Sequence, residues 1–140
     1  MPITWNSNLV TGIRQIDLQH QELIELINEL ESAHNSGQDA VALADVLPRL
    51  KSYIFFHFNE EETITSRVAD GMDHFERHIA EHRQFTDLIS KLKFDQPEKV
   101  SQAVDDLVSY LQVWLIEHIM KTDMQLAAIY HARRRARKAQ

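Results

Sequence analysis

Apolar residues recur along this chain at alternating steps of three and four, the spacing of helices that bury one stripe. Four such stripes can be traced. The first is Ile16, His20, Leu23, Ile27 and Leu30, and the second is Leu43, Leu47, Leu50, Ile54, His57, Glu61, Ile64 and Val68. The third is Phe75, His78, His82, Phe85, Ile89 and Leu92, and the fourth is Val104, Leu107, Leu111, Trp114 and His118. No segment shows the two-residue alternation of a strand, and no internal repeat appears. The spacing predicts helix A from an N-cap at Asp17 to a stop at Asn35-Ser36-Gly37. Helix B follows from about Ala40 to Ala69 and stops at Asp70-Gly71. Pro48 lies inside B, so B either kinks there or is preceded by a short helix. Helix C is expected from Asp73 to Leu92. Helix D is expected from a capping box at Asp95, Pro97 and Glu98 to about Tyr130, with continuation into the tail left open. The residues before helix A form an extended arm, with Trp5 and Ile13 as packing anchors. Connections this short make consecutive helices antiparallel. The expected fold is all-α, an up-down-up-down antiparallel four-helix bundle with an extended N-terminal arm.

Composition narrows the chemistry. A chain of 140 residues fits one domain, read as a bundle over 1–132 and a basic tail over 133–140. The net charge of −6 argues against nucleic acid as a partner. No cysteine is present, which excludes disulfides, iron–sulfur clusters and thiolate–zinc sites and suits a cytoplasmic location. The opening residues have neither the basic nor the apolar region of a signal peptide, and no run of apolar residues is long enough for a membrane span. A monomer is expected. The tail, Arg133-Arg134-Arg135-Ala136-Arg137-Lys138, reads as a solvated helix end whose cations complement the helix dipole. Its alternative reading is a tether to an acidic partner or a lipid surface.

Histidine changes the picture most. Each of the four stripes is interrupted by at least one of the chain's eight histidines, and B also by Glu61. One histidine on an apolar stripe is usually a hydrogen-bonded core residue. A buried glutamate, however, must be paired or bound to a cation. Five histidines and a carboxylate on four inward faces are satisfied together by a metal centre. At about 1.5 Å per residue, His20, Glu61, His78 and His118 all lie within roughly 5 to 20 Å of the same bundle end. His57 with Glu61, and His78 with His82, are i,i+4 pairs that share a face. His118 and Asp123 are one residue too far apart for that. The apolar pattern slips by one residue at the same place, resuming at Ile119, Asp123, Leu126 and Tyr130, so a π-bulge would bring both inward. Five nitrogens and two carboxylates are too many for one ion. With both carboxylates and a solvent-derived oxygen bridging two ions, one metal is six-coordinate with three histidines, and the other is five-coordinate with two. An oxygen-bridged pair with imidazole and carboxylate ligands points to iron.

The set His20, His57-Phe58-x-x-Glu61, His78-x-x-x-His82 and His118-x-x-x-x-Asp123 resembles that of the hemerythrins, specifically single-domain bacteriohemerythrins. The likeness runs from about residue 5 to residue 130 and includes Ile16-Asp17-x-x-His20 at the start of helix A. It implies two iron ions per chain with an oxo or hydroxo bridge. His78, His82 and His118 would sit on the six-coordinate iron, His20 and His57 on the five-coordinate one, and Glu61 and Asp123 would bridge. It further implies that O₂ binds end-on at the open position, within walls formed here by Leu23, Phe58, Trp114, Leu115 and Ile119. The expected function is reversible dioxygen binding for transport, storage or delivery, without a catalytic residue. The alternatives are a di-iron oxidase, peroxidase or NO-handling enzyme, and an oxygen or redox sensor acting through a separate partner. The Glu-x-x-His spacing of ferritin-like oxidases occurs once, at Glu31 and His34, away from the site. His34, His74 and His131 read as surface or bundle-end residues, with His74 the best candidate to support a ligand from outside.

Overall fold

The structure is a computed structural model that describes residues 2–70 and 72–139. Its helices are α1 (Arg14–Asn35), α2 (Asp39–Val41), α3 (Leu47–Ala69), α4 (Asp73–Ser90), α5 (Val100–Glu117) and α6 (Met124–Ala139). Two π-helical segments, Ala42–Val46 and His118–Asp123, join α2 to α3 and α5 to α6. The long elements form an antiparallel four-helix bundle in which α1 packs on α3 and α5, and α3 packs on α4 and α6. Among the described residues, no helix is long and apolar enough to cross a membrane.

The buried stripes follow the sequence pattern, but several boundaries differ. Helix α1 begins three residues before Asp17, with Ile13 as its N-cap. Asp17 instead turns its carboxylate back onto the arm. It accepts from the Thr11 and Gly12 amides at 2.8 and 3.1 Å and from the Thr11 hydroxyl at 2.7 Å. This fastens the arm to the first turn, where Gly12 has φ +81°. Pro48 falls in the first turn of α3, directly after the π-helical turn Ala42–Val46, which carries the chain in without a break. The expected stop after this helix is seen at Asp70, which caps α3; Gly71 lies outside the described residues. Helix α4 ends at Ser90 rather than Leu92. The capping box at Asp95 does not form: Pro97–Lys99 make a short 3₁₀ turn capped by the Gln96 backbone, and α5 starts at Val100. The fourth helix runs on through the tail to Ala139.

The core is divided. A large apolar cluster includes Leu23, Leu30, Leu50, Phe58, Phe85, Leu107 and Ile119. A small one at the bundle end joins Ile13, Ile16, Ile64 and Leu126. Along each contributing helix the residues between the two clusters are polar and buried: His20 in α1, Glu61 in α3, and Thr122 and Asp123 before α6. The bundle thus carries a polar plate across its interior. The arm closes the same end, since Ile13 joins the small cluster and His131 Nε2 donates to the Thr11 carbonyl at 2.9 Å. Trp5 packs against the large cluster, as expected of an anchor.

Candidate metal centre

The seven residues singled out by their spacing meet in this plate, and none is more than 4% exposed. Helix α1 delivers His20, α3 delivers His57 and Glu61, and α4 delivers His78 and His82. His118 and Asp123 come from the π-helical segment that bears both at its two ends. On a regular helix these last two would point about 140° apart. The wider π turn supplies the extra residue that the slipped apolar pattern requires, so both side chains enter the plate.

The carboxylates organise the rest. Glu61 Oε1 lies 2.6, 3.0 and 3.3 Å from Nε2 of His78, His82 and His118. Its other oxygen, Oε2, lies 3.6 and 3.3 Å from Nε2 of His20 and His57. Asp123 divides in the same way: Oδ1 is 3.1 Å from both His78 and His118, and Oδ2 is 2.9 Å from His20. The plate therefore holds two groups of donors that share Glu61. One is Glu61, His78, His82 and His118, and the other is His20, His57, Glu61 and Asp123. Within each group one donor atom per residue lies within 4.8 Å of all the others, close enough to surround a single ion.

Some of these atoms hydrogen-bond one another, as His78 and His82 do through Nε2 to Glu61 Oε1, and others do not. His20 Nε2, His57 Nε2, Glu61 Oε2 and both Asp123 oxygens are buried and make no hydrogen bond among the described residues. Unpartnered buried atoms of this kind cost about 1–3 kcal/mol each, and more when charged. Positive charge at the centre, whether a metal or the protons on the imidazoles, offsets that cost. The donor set, imidazoles and carboxylates with no sulfur, suits first-row transition metals, and its shared carboxylate suits a pair.

Electrostatics points the same way. Burial alone would raise the acidities' midpoints for Glu61 and Asp123, but the histidines around them hold both carboxyls well below the usual carboxylate range. Two fixed negative charges then draw positive charge inward. Burial works to lower the pKa of His20 and His78, yet Asp123 and Glu61 beside them push both up to about 9. His118 rises against the same opposition to about 10. His57 goes the other way: burial dominates and lowers it. Without a metal the plate holds protons where a metal would compete for the same nitrogens.

A further ring of contacts orients the imidazoles. With Nε2 turned to the centre, Nδ1 carries the proton. His57 Nδ1 donates to Gln19 Oε1 at 2.7 Å, His78 Nδ1 to His74 Nε2 at 3.0 Å, and His82 Nδ1 to Glu62 Oε2 at 3.2 Å. His74 is therefore buried rather than superficial, and it supports a centre residue from outside. His34 and His131 are partly buried, and each is tied to a neighbour: His34 Nδ1 lies 2.7 Å from Asp39 Oδ1, and His131 holds the arm. Gln19 and Glu62 carry no signal of their own in the sequence, since each is one more polar residue beside a stripe position. Phe58 stacks on His82 with centroids 3.8 Å apart, and Trp114 on His118 at 4.5 Å. Leu23, Phe58, Leu115 and Ile119 are buried, whereas Trp114 is only partly so.

Comparison with known proteins agrees with the donor set. Residues 11–130 match the family described as hemerythrin HHE cation binding domain. A bacteriohemerythrin of Pseudomonas aeruginosa (strain LESB58) is 35% identical over 124 residues, covering 86% of this chain and 76% of that protein. A bacteriohemerythrin of Stenotrophomonas maltophilia (strain R551-3) is 32% identical over 127 residues, covering 89% and 79%. A hemerythrin-like protein of Naegleria gruberi is 27% identical over 131 residues, covering 91% and 93%. The chain belongs to the hemerythrin family.

Proposed function

We propose that this chain binds dioxygen reversibly at two iron ions held by His20, His57, Glu61, His78, His82, His118 and Asp123. The observation that carries the reading is the division of labour at the carboxylates: each turns one oxygen toward the three-histidine side and the other toward His20. When bound, the two irons would supply the electrons that dioxygen takes up on binding and gives back on release. With both carboxylates and a solvent-derived oxygen shared, His78, His82 and His118 would complete six donors on one side, and His20 and His57 would leave the other side one donor short. That asymmetry leaves room for one small ligand.

The remaining residues exclude water and fix orientation. Leu23, Phe58, Trp114, Leu115 and Ile119 would offer no acid, base or hydroxyl to an oxygen ligand, and apolar walls of this kind would keep water out. Gln19, His74 and Glu62 each hold one imidazole in its tautomer, which limits movement when the ligand arrives and leaves. A store or carrier needs both properties, since protonation of the bound ligand by a nearby acid would release it in reduced form. An oxidase, peroxidase or NO-handling activity is the second reading, and the absence of a proton donor among the five wall residues weighs against it.

Metal analysis of protein expressed with ample iron should return two irons per chain. The reduced protein should consume O₂ or peroxide only slowly when a reductant is supplied in excess. One ion per chain, two zincs, or rapid turnover would each remove the carrier reading.

A further inference from the structure

The end of α3 and the last turns of α6 enclose a groove of about 680 Å³. Arg67 lines it from α3, and Arg133, Arg134 and Arg137 line it from α6, while no carboxylate lines it among the described residues. The chain has 21 acidic residues and a net charge of −6, so four arginines lining one groove without an acid among them is not a matter of supply. The arginine ion pairs seen among the described residues are those of Arg49, elsewhere on the surface. Cations in the last turn of a helix complement its dipole, and because α3 packs on α6 with both C-termini at one bundle end, the two sets of cations are brought together there, which leaves the groove with a concentrated positive charge. The groove also has an apolar floor, from Ile64, Val68 and Tyr130. Arg134 lies over the Tyr130 ring, 5.7 Å from its centroid, with Nη1 3.5 Å from the Tyr130 hydroxyl.

We propose that this groove is a phosphate-binding site, with the phosphate held between Arg67 of α3 and the arginines of α6. The planar fork of guanidinium matches two phosphate oxygens at once, and several forks at one place favour an anion carrying more than one negative charge. The apolar floor suits a ligand whose phosphate is attached to a less polar body, which could be a soluble metabolite or a lipid headgroup. The inference stands apart from the oxygen chemistry, because no groove residue belongs to the metal plate.

The test uses the full iron-loaded chain. Inorganic pyrophosphate is titrated calorimetrically at near-physiological salt, and sedimentation is measured with phosphatidylcholine vesicles containing phosphatidylglycerol. Saturable binding of either probe is expected; pyrophosphate binding identifies a soluble ligand, and vesicle binding alone identifies a lipid phosphate. Arg67→Ala and Arg137→Ala should each weaken binding about tenfold or more, the worth of one charge-assisted hydrogen bond. Arg135→Ala, in the same tail but not lining the groove, should change it less than twofold, and iron content should be unaltered in all three. The proposal is overturned if neither probe binds, if Arg135→Ala weakens binding as much as Arg67→Ala, or if poly-glutamate binds more tightly than pyrophosphate.

Discussion

Loading the metal-free chain with iron should expel protons in a number set by the plate. His20 and His78, each held at about 9, and His118, at about 10, are all protonated at pH 7 without metal. Two pH units below its midpoint a group is about 99% protonated, so these three carry close to three protons. Glu61 and Asp123 contribute none, because both are held ionised, and His57, with its pKa lowered by burial, adds little. Coordination through nitrogen requires the neutral imidazole, so all three protons must leave. A solvent-derived bridge would release about one more as it forms hydroxide. Release of about three to four protons per chain implies that the apparent affinity for the iron pair falls about thousandfold or more per pH unit below about pH 8. The assay is an anaerobic titration of iron(II) into weakly buffered metal-free protein, followed with an indicator dye to the two-iron end point. Release of one proton or fewer would show that the histidines are neutral before metal arrives, and the charge arrangement described above would be wrong.

The same charges fix how the metal-free bundle responds to pH. Histidines raised above 6.5 contribute stability that is complete below that value and lost as pH rises through about 9 to 10, whereas the depressed carboxylates contribute stability that is lost on acidification. His57, lowered by burial, acts in the opposite sense and loses stability as pH falls below 6.5, so thermal unfolding followed by circular dichroism should peak near about pH 6.5 and decline toward pH 10. His74→Ala removes the acceptor from His78 Nδ1 and should weaken iron binding about 10- to 100-fold in competition with a chelator, without unfolding the bundle. Leu23→Glu should keep both irons, since it touches none of the seven residues, yet speed autoxidation relative to O₂ release in stopped-flow absorbance, because it admits a polar group and water. Gly12→Ala places a methyl 2.8 Å from His131 Nε2 at φ +81° and should cost on the order of 1–3 kcal/mol in urea unfolding.

Much of the fold and of the candidate centre could be read from spacing because the bundle buries one face per helix. Stripe positions such as Ile16, Leu50, Phe85 and Leu111 are buried where the three-four alternation puts them. The His118–Asp123 slip was legible for the same reason: an added residue shifts every later apolar position, so Leu126 and Tyr130 report it. The Ala42–Val46 π turn was harder to see, because it buries Ala42 and Val46, one residue ahead of the traced Leu43 and Leu47, and leaves Leu43 only partly buried, while only Pro48 hints at irregular backbone. Helix starts were harder. Asp17 and Asp95 both have the composition of caps, but a carboxylate near a helix start can bond to any free amide nearby, and Asp17 chose the arm. His74 could be picked out as a supporting residue because it precedes His78 by four on the same helix, whereas Gln19 was hidden because its partner His57 lies on another helix, and local sequence does not specify which polar flank residue turns inward.

Dioxygen titration of the anaerobically reduced two-iron protein, followed by absorption and then by argon purging, tests the central claim most directly. A spectral change that saturates at one O₂ per pair of irons and reverses under argon, over repeated cycles with iron retained, is the expected result. A change that does not reverse, or oxidation of the pair with O₂ consumed and no bound state, would contradict it.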